Sequence, residues 1–278
     1  MSLCQVRMVN NMELQFESPS FYKRIKGMLG VDFYRLFHTP LFYIFLAIAA
    51  IIPAMILGMT TMEGGEPLYT NTWNIVAADT PLYVINTIGD YANMNMVFIF
   101  GGIMVSIFIG HDYKSGYVKQ LFTTHAKKQD YMISKSISCA FAMGCMCITY
   151  LLGGVIAGLF TGSDMSVNVG SLILAIISKI LMSLGWASLY TLLNVIFRRY
   201  FGVSIASSFF LGTGILIIGV AALVGNSPIL NIFLYGSSVY ACLSSNIVTL
   251  IVCTLVSVSW AVIYNVLGTV ILNKCDVY

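Results

Sequence analysis

Residues 40–59 read PLFYIFLAIAAIIPAMILGM, a stretch that contains no charged side chain. About 20 apolar residues in a helix are enough to cross the roughly 30 Å hydrocarbon core of a lipid bilayer. Pro53 lies inside the stretch and predicts a kink, which neighbouring helices and side chains can accommodate within a membrane. The stretch therefore predicts a transmembrane helix.

The composition extends this prediction to the whole chain. Of 278 residues, 58% are hydrophobic and 9% are charged, whereas a soluble domain carries about 25% charged residues. So few charges cannot cover a surface that faces water. We predict an all-α integral membrane protein in which residues 39–273 form a transmembrane domain of six helices. The predicted spans are residues 40–59, 91–110, 136–160, 172–197, 203–224 and 247–272.

The last two predicted spans lie in a stretch without charge, from position 200 to position 273. Their limits therefore rest on two polar clusters, at residues 226–228 and 244–246. The apolar segment 229–243 between these clusters is too short to cross the membrane. It predicts a pair of interfacial or re-entrant pieces on the outer side.

The first 38 residues predict a cytoplasmic segment that ends in an amphipathic helix. Apolar residues recur at helical spacing from Phe21 to Phe37, with basic residues between them. Such a helix lies in the membrane interface rather than crossing the bilayer. A solvated helix that packs on a partner protein is the alternative. Charged residues precede the first long apolar stretch, which argues against a secretory signal peptide.

Lysine and arginine residues predict the orientation, because cytoplasmic loops carry an excess of both. With both termini inside, the inner segments hold nearly all of these residues, including five lysines in the loop 111–135 and the pair Arg198 and Arg199. The outer loops then hold none. We therefore predict a multi-pass protein of the cell membrane with both termini in the cytoplasm, residues 274–278 forming the C-terminal tail.

The sequence supplies no constellation typical of an enzyme. It lacks the GxxxxGK[ST] motif that binds nucleotide phosphates. The histidines His38, His111 and His125 have no metal-ligand spacing, and the seven cysteines are irregularly spaced. The net charge of +3 is too small to indicate nucleic-acid binding. We predict that this chain is not an enzyme and holds no catalytic residue, metal or cofactor, and that it has no nucleic-acid partner.

Two features inside the predicted spans admit two interpretations each. Lys179 is an ionisable residue within the fourth span, which makes it a candidate for the translocation path. The interpretation we favour is that its long side chain snorkels to the outer interface. Gly154 and Gly158 in the third span have the GxxxG spacing that permits close helix approach, although this spacing also arises by chance in a glycine-rich chain.

The loop between the second and third predicted spans has an ordered pattern. Residues 112–122 read DYKSGYVKQLF, and residues 130–135 read DYMISK. An acidic residue at the membrane edge is followed by a glycine, a short amphipathic stretch, a tyrosine and a Ser-Lys pair. This order predicts a short cytoplasmic helix between two turns, which a merely solvated loop would not need.

This loop resembles that of the permease subunits of type-2 ABC exporters. The matching positions are Asp112, Gly116, Leu121, Tyr131, Ser134 and Lys135. Tyr117 stands where the family usually has threonine, and the turn 123–126 has no proline. The resemblance also covers the layout of the chain: an interfacial N-terminal helix, six spans, a long first outer loop and an apolar outer hairpin before the last span.

The resemblance implies that the loop couples this chain to a separate ATP-binding cassette subunit, on which ATP and Mg²⁺ would bind. A second permease copy or a paralogue would complete the complex, and an amphipathic peptide, lipid-like molecule or drug would be exported. The residues to which it assigns the coupling are Asp112, Lys114, Gly116, Lys119, Gln120, Leu121, Tyr131 and Lys135. An ATP-independent secondary transporter or channel is the main alternative, followed by a membrane-embedded enzyme and a non-transporting scaffold.

Overall fold

The computed structural model describes residues 20–60, 72, 95–123, 126–162, 165–166, 169–225, 232–242 and 246–274. In these residues the chain forms nine α-helices and no strand. The helices are α1 (Phe21–His38), α2 (Pro40–Thr60), α3 (Met96–Lys114), α4 (Tyr117–Thr123), α5 (Lys128–Thr161), α6 (Val169–Ile196), α7 (Phe201–Gly225), α8 (Leu234–Cys242) and α9 (Ile247–Lys274).

Four described helices are long and apolar enough to cross a membrane: α3, α5, residues 172–196 of α6, and α9. The pair α1 and α2 would add a fifth if it formed one span, although its two helices are bent by 68° relative to each other. The chain is therefore all-helical in its described part and has the make-up of a multi-pass membrane protein. The count of six spans stays a prediction.

The helices extend beyond the predicted spans at the charged loop. Helix α3 continues to Lys114, and α5 begins at Lys128, whereas the sequence placed these limits at 110 and 136. Apolar composition marks the part of a helix that suits lipid, but the backbone hydrogen bonds of a helix continue wherever packing supports them. The first outer loop and the polar cluster 226–228 lie almost wholly outside the described residues.

The bend between α1 and α2 has a local cause. Thr39 precedes Pro40 and has an extended backbone, with φ −96° and ψ 120°. The proline ring disfavours the helical conformation in the residue before it, so a continuous helix is interrupted here. The Thr39 hydroxyl donates to the carbonyl oxygen of Arg35 at 2.6 Å. This turn sets α1 at an angle to α2 and lays it against α5.

Two helix pairs have the most extensive contacts, α6 with α9 and α2 with α5. The second pair approaches closely at Gly153, where a Cβ atom would overlap the carbonyl oxygen of Ala50. In the core, Trp186 stacks on Phe98 with ring centroids 5.4 Å apart. The hydroxyl of Tyr190 donates to the carbonyl oxygen of Phe98 at 2.9 Å. These contacts join α3 to α6 in the centre of the bundle.

Candidate functional site

The short helix α4 begins directly after a turn that requires glycine. Gly116 has φ +74°, a left-handed conformation that costs other residues about 1–2 kcal/mol. Two hydrogen bonds close the turn. The amide of Ser115 donates to the carbonyl oxygen of His111 at 2.9 Å, and the amide of Gly116 donates to the carbonyl oxygen of Tyr113 at 3.2 Å. The predicted short helix between α3 and α5 is therefore present.

One side of α4 is buried in an apolar cluster that includes side chains near the ends of three long helices. Val118 is fully buried in an apolar cluster with Tyr131 and Met132 of α5, Val195 of α6 and Leu272 of α9. A displacement of α4 would therefore disturb a cluster to which α5, α6 and α9 each contribute side chains. Leu121 and Phe122 add partly buried contacts.

The other side of α4 is open. Lys119 and Gln120 are exposed, as is Lys114 at the end of α3. These are the three predicted coupling residues with exposed side chains, and a partner protein would contact them first. We call the end of the bundle that holds α4, the C-terminus of α3 and the N-terminus of α5 the charged end.

Asp112 and Lys135, two further predicted coupling residues, are buried and belong to a buried charge cluster. The Nζ atom of Lys135 lies 2.6 Å from Asp112 Oδ2 and 2.5 Å from Asp32 Oδ1. Arg35 pairs with the other oxygen of Asp112. The cluster thus holds two acidic and two basic side chains, Asp32, Arg35, Asp112 and Lys135, and its formal charge is zero.

Neighbouring side chains add further contacts to the buried charge cluster, although Arg35 Nη1 is buried without a hydrogen-bond partner among the described residues. The Ser134 hydroxyl donates to Asp32 Oδ2 at 2.8 Å. The guanidinium of Arg35 lies 4.5 Å from the ring centroid of Tyr117, a cation–π distance. Burial raises the pKa of the Tyr117 hydroxyl, which is therefore neutral at physiological pH. The Ser-Lys pair of the sequence pattern thus supplies two adjacent donors to one carboxylate on α1.

The cluster connects α1 to both helices that flank α4. Asp32 and Arg35 come from α1, Asp112 from the end of α3 and Lys135 from α5. A second link lies nearby, because Arg24 Nε of α1 is 2.6 Å from Asp130 Oδ2 of α5. Because Asp112 and Lys135 face inward, they hold the loop and α1 in place. The side chains of this region that reach the surface include Lys119 and Gln120 of α4.

Sequence reasoning missed the role of Asp32, although a signal was present. Asp32 lies four residues after Met28 and four before Leu36, which places it on the apolar face of α1. A carboxylate on the apolar face of an amphipathic helix is expensive to bury unless it is paired. That position indicates a buried cationic partner, but it does not indicate which one.

Lys179 is also buried, with no exposed surface. Its Nζ atom donates to Asn95 Oδ1 at 3.3 Å and to the carbonyl oxygen of Ser238 at 3.2 Å. The hydroxyl of Ser238 in turn accepts from Trp186 Nε1 at 2.9 Å. The ammonium group therefore lies inside the protein, among α3, α6 and α8, and the favoured interpretation of a snorkelling lysine is not what the structure shows.

Within the described residues, no three histidine, cysteine, aspartate or glutamate side chains are grouped so that they could hold a metal ion. No protein-family model and no curated protein matches the sequence. The features of the described residues that bear on function are α4, with one buried and one exposed side, and the buried charge cluster.

Proposed function

We propose that this chain is the membrane-spanning permease subunit of a type-2 ABC exporter, with six spans and with both termini in the cytoplasm. A separate ATP-binding subunit would carry ATP and Mg²⁺, and a second permease copy or a paralogue would complete the transport path. The observation that carries the proposal is α4, whose Val118 is buried in an apolar cluster with residues of α5, α6 and α9 and whose polar side is exposed at the charged end.

This arrangement suits an element that receives motion from outside the membrane. A partner that moves Lys119 and Gln120 moves a short helix whose Val118 is buried in the apolar cluster that also holds residues of α5, α6 and α9. Packed interiors are dense and transmit displacement rather than absorbing it. The partner's motion would therefore reach the long helices directly.

The buried charge cluster would also couple α1 to motion of the loop that holds α4. Ion pairs connect α1 to the end of α3 and to α5 on either side of α4. Each of these contacts is charge-assisted and short, so that α1 and the loop move as one unit. An interfacial helix that moves with the loop would change the shape of the protein at the inner membrane surface.

The chemistry of the exposed side predicts the partner's surface. Lys114 and Lys119 present positive charge, and no acidic side chain is exposed among residues 112–123. An acidic groove on the ATP-binding subunit would complement them and speed association. The exported substrate would be amphipathic, in keeping with an apolar and aromatic bundle.

Reversal of charge on α4 should uncouple the transporter without unfolding it. We expect Lys119→Glu combined with Gln120→Glu to abolish co-purification of the ATP-binding subunit, because both side chains are exposed and would repel an acidic groove. Co-purification from native membranes, followed by ATPase assay of the eluate, measures the effect. Gly116→Pro should also reduce co-purification of the ATP-binding subunit, because proline cannot adopt φ +74° and the turn before α4 would be lost.

Lys26→Glu is the control, since Lys26 is exposed on α1 and lies outside α4. We expect this variant to retain the ATP-binding subunit. Retention of the ATPase by the double α4 variant, or failure of the native chain to bring down any ATPase, would refute the coupling role.

A secondary transporter is the second candidate, and the burial of Lys179 is the observation that favours it. Ionisable groups inside a membrane protein are frequently parts of ion or proton pathways. Proteoliposomes that contain only this chain distinguish the two candidates. Ion-driven uptake without ATP, lost in Lys179→Met, would support the secondary transporter, whereas the exporter proposal expects no transport from the chain alone.

A further inference from the structure

A cavity lies at the charged end, and no residue of α4 lines it. It has a volume of about 350 Å³ and lies between the end of α3, the turn that follows α6 and the start of α7. Cavities of this size hold small ligands in other proteins. Its lining includes Lys114, Asn194, Phe197, Arg198, Arg199 and Phe201.

The lining is cationic and lacks a counter-charge. Lys114, Arg198 and Arg199 contribute three positive charges, and none of the described lining residues is acidic. The nearest carboxylate along the chain is Asp112, which is engaged with Lys135 and Arg35 in the buried charge cluster. Three cations around one cavity favour an anionic ligand.

The hydrogen-bond donors of the cavity are unevenly used. Asn194 is satisfied within the protein, since its Nδ2 donates to Ser106 Oγ at 3.1 Å and to the Tyr190 carbonyl oxygen at 2.8 Å, while its Oδ1 accepts from Ser204. The Nη1 atom of Arg198, in contrast, is buried without a hydrogen-bond partner among the described residues. A buried donor of this kind costs free energy until an acceptor reaches it.

Phosphate is the anion that fits these donors. Guanidinium groups bind phosphate oxygens through two parallel hydrogen bonds, and two adjacent arginines with a lysine can surround one phosphate. The cavity also borders Phe197 and Phe201, which offer apolar surface beside the cations. It lies where the helices leave their apolar segments, at the level expected for the phosphates of membrane lipids.

We propose that this cavity binds a phosphate group carried by an anionic amphiphile, with Arg198 and Arg199 as its principal ligands and Lys114 as the third cation. This binding does not depend on an ATP-binding partner. The simplest competing explanation is that the arginines only neutralise the C-terminal end of α6, as cations near helix C-termini do. In that case phosphate would show no preference for the site.

The experiment uses the full-length chain, purified in a neutral detergent. Dioleoylphosphatidylglycerol and zwitterionic dioleoylphosphatidylcholine are added separately, and bound lipid is counted by native mass spectrometry. We expect the anionic lipid to be retained preferentially and its affinity to fall by about tenfold in Arg198→Gln/Arg199→Gln. Lys23→Gln/Lys26→Gln removes the same charge from the exposed face of α1 and should leave the affinity unchanged.

Soluble glycerol 3-phosphate forms the second arm. If it displaces the lipid, the phosphate group alone suffices and soluble phosphate esters are also ligands, whereas lack of displacement assigns the site to lipid. Three results would overturn the proposal: the α1 control loses as much lipid affinity as the arginine variant, both lipids are retained equally, or Arg198→Gln/Arg199→Gln binds the anionic lipid fully. The charge-preserving variant Arg198→Lys/Arg199→Lys should retain binding, and the exposed Arg199→Gln alone serves if the double variant does not fold.

Discussion

Lys135→Met is expected to destabilise the protein by about 3–5 kcal/mol, the usual cost of removing one partner from a buried ion pair. Lys135 is 1% exposed and lies against two buried carboxylates, Asp32 and Asp112. Its loss leaves these carboxylates with Arg35 alone, so that one negative charge stays buried without compensation. Thermal unfolding of the purified protein in detergent, followed by circular dichroism, measures the change.

A second substitution makes this prediction specific to charge. Asp32→Asn/Lys135→Met removes one negative and one positive charge and leaves the pair of Asp112 and Arg35 intact. We expect this double variant to unfold at a higher temperature than Lys135→Met. The exposed Lys119→Met should unfold like the native protein. If the double variant lost as much stability as the two single substitutions together, the unpaired buried charge would not be the cause of the destabilisation.

Gly153→Ala is expected to force α2 away from α5, because the added methyl group would overlap the carbonyl oxygen and Cα atom of Ala50. A backbone atom cannot turn aside as a side chain can, so the cost should lie at the upper end of the roughly 1–3 kcal/mol typical of overpacking. The same unfolding experiment in detergent measures it. Gly153→Ser should behave similarly, since its Cβ occupies the same position.

Gly30→Ala is the matched control for this variant. A Cβ at Gly30 has no heavy atom within 4 Å, and the residue lies inside a helix. There the same methyl group should raise the helix propensity of α1 and stabilise the protein by about 0.5–1 kcal/mol. A common effect of both substitutions would show that glycine content, rather than the contact between α2 and α5, governs the result.

The contact at Gly153 shows how far a sequence motif reaches. The GxxxG spacing of Gly154 and Gly158 indicated that this part of α5 could approach another helix. In the structure Gly158 lies against Thr72, and the approach to α2 occurs at Gly153. Successive residues of a helix point about 100° apart, so the approach at Gly153 uses a different side of α5 from Gly154. The face, the partner and the point of crossing depend on the packing of both helices.

For Lys179, the position in the sequence did not reveal where the side chain lies in the structure. Its position along α6 suggested that the side chain could reach the outer interface, because a lysine stem is long. The structure surrounds it with Asn95, Ser238 and the ring of Phe98 instead. All three residues lie more than fifty positions from it along the chain, Asn95 and Ser238 at separations of 84 and 59. No local pattern reports such neighbours.

The sequence by itself determined the helical character of the chain, its suitability for a membrane, and the short helix after Gly116. These follow from apolar length, helical periodicity and turn chemistry, which are local properties. Only the tertiary structure decided which charges are buried together. Asp32, Asp112 and Lys135 meet because α1 and α3 both pack against α5. Asp112 and Lys135, predicted as contact residues for a partner, therefore hold α1 from inside the protein, ahead of the apolar stretch 40–59.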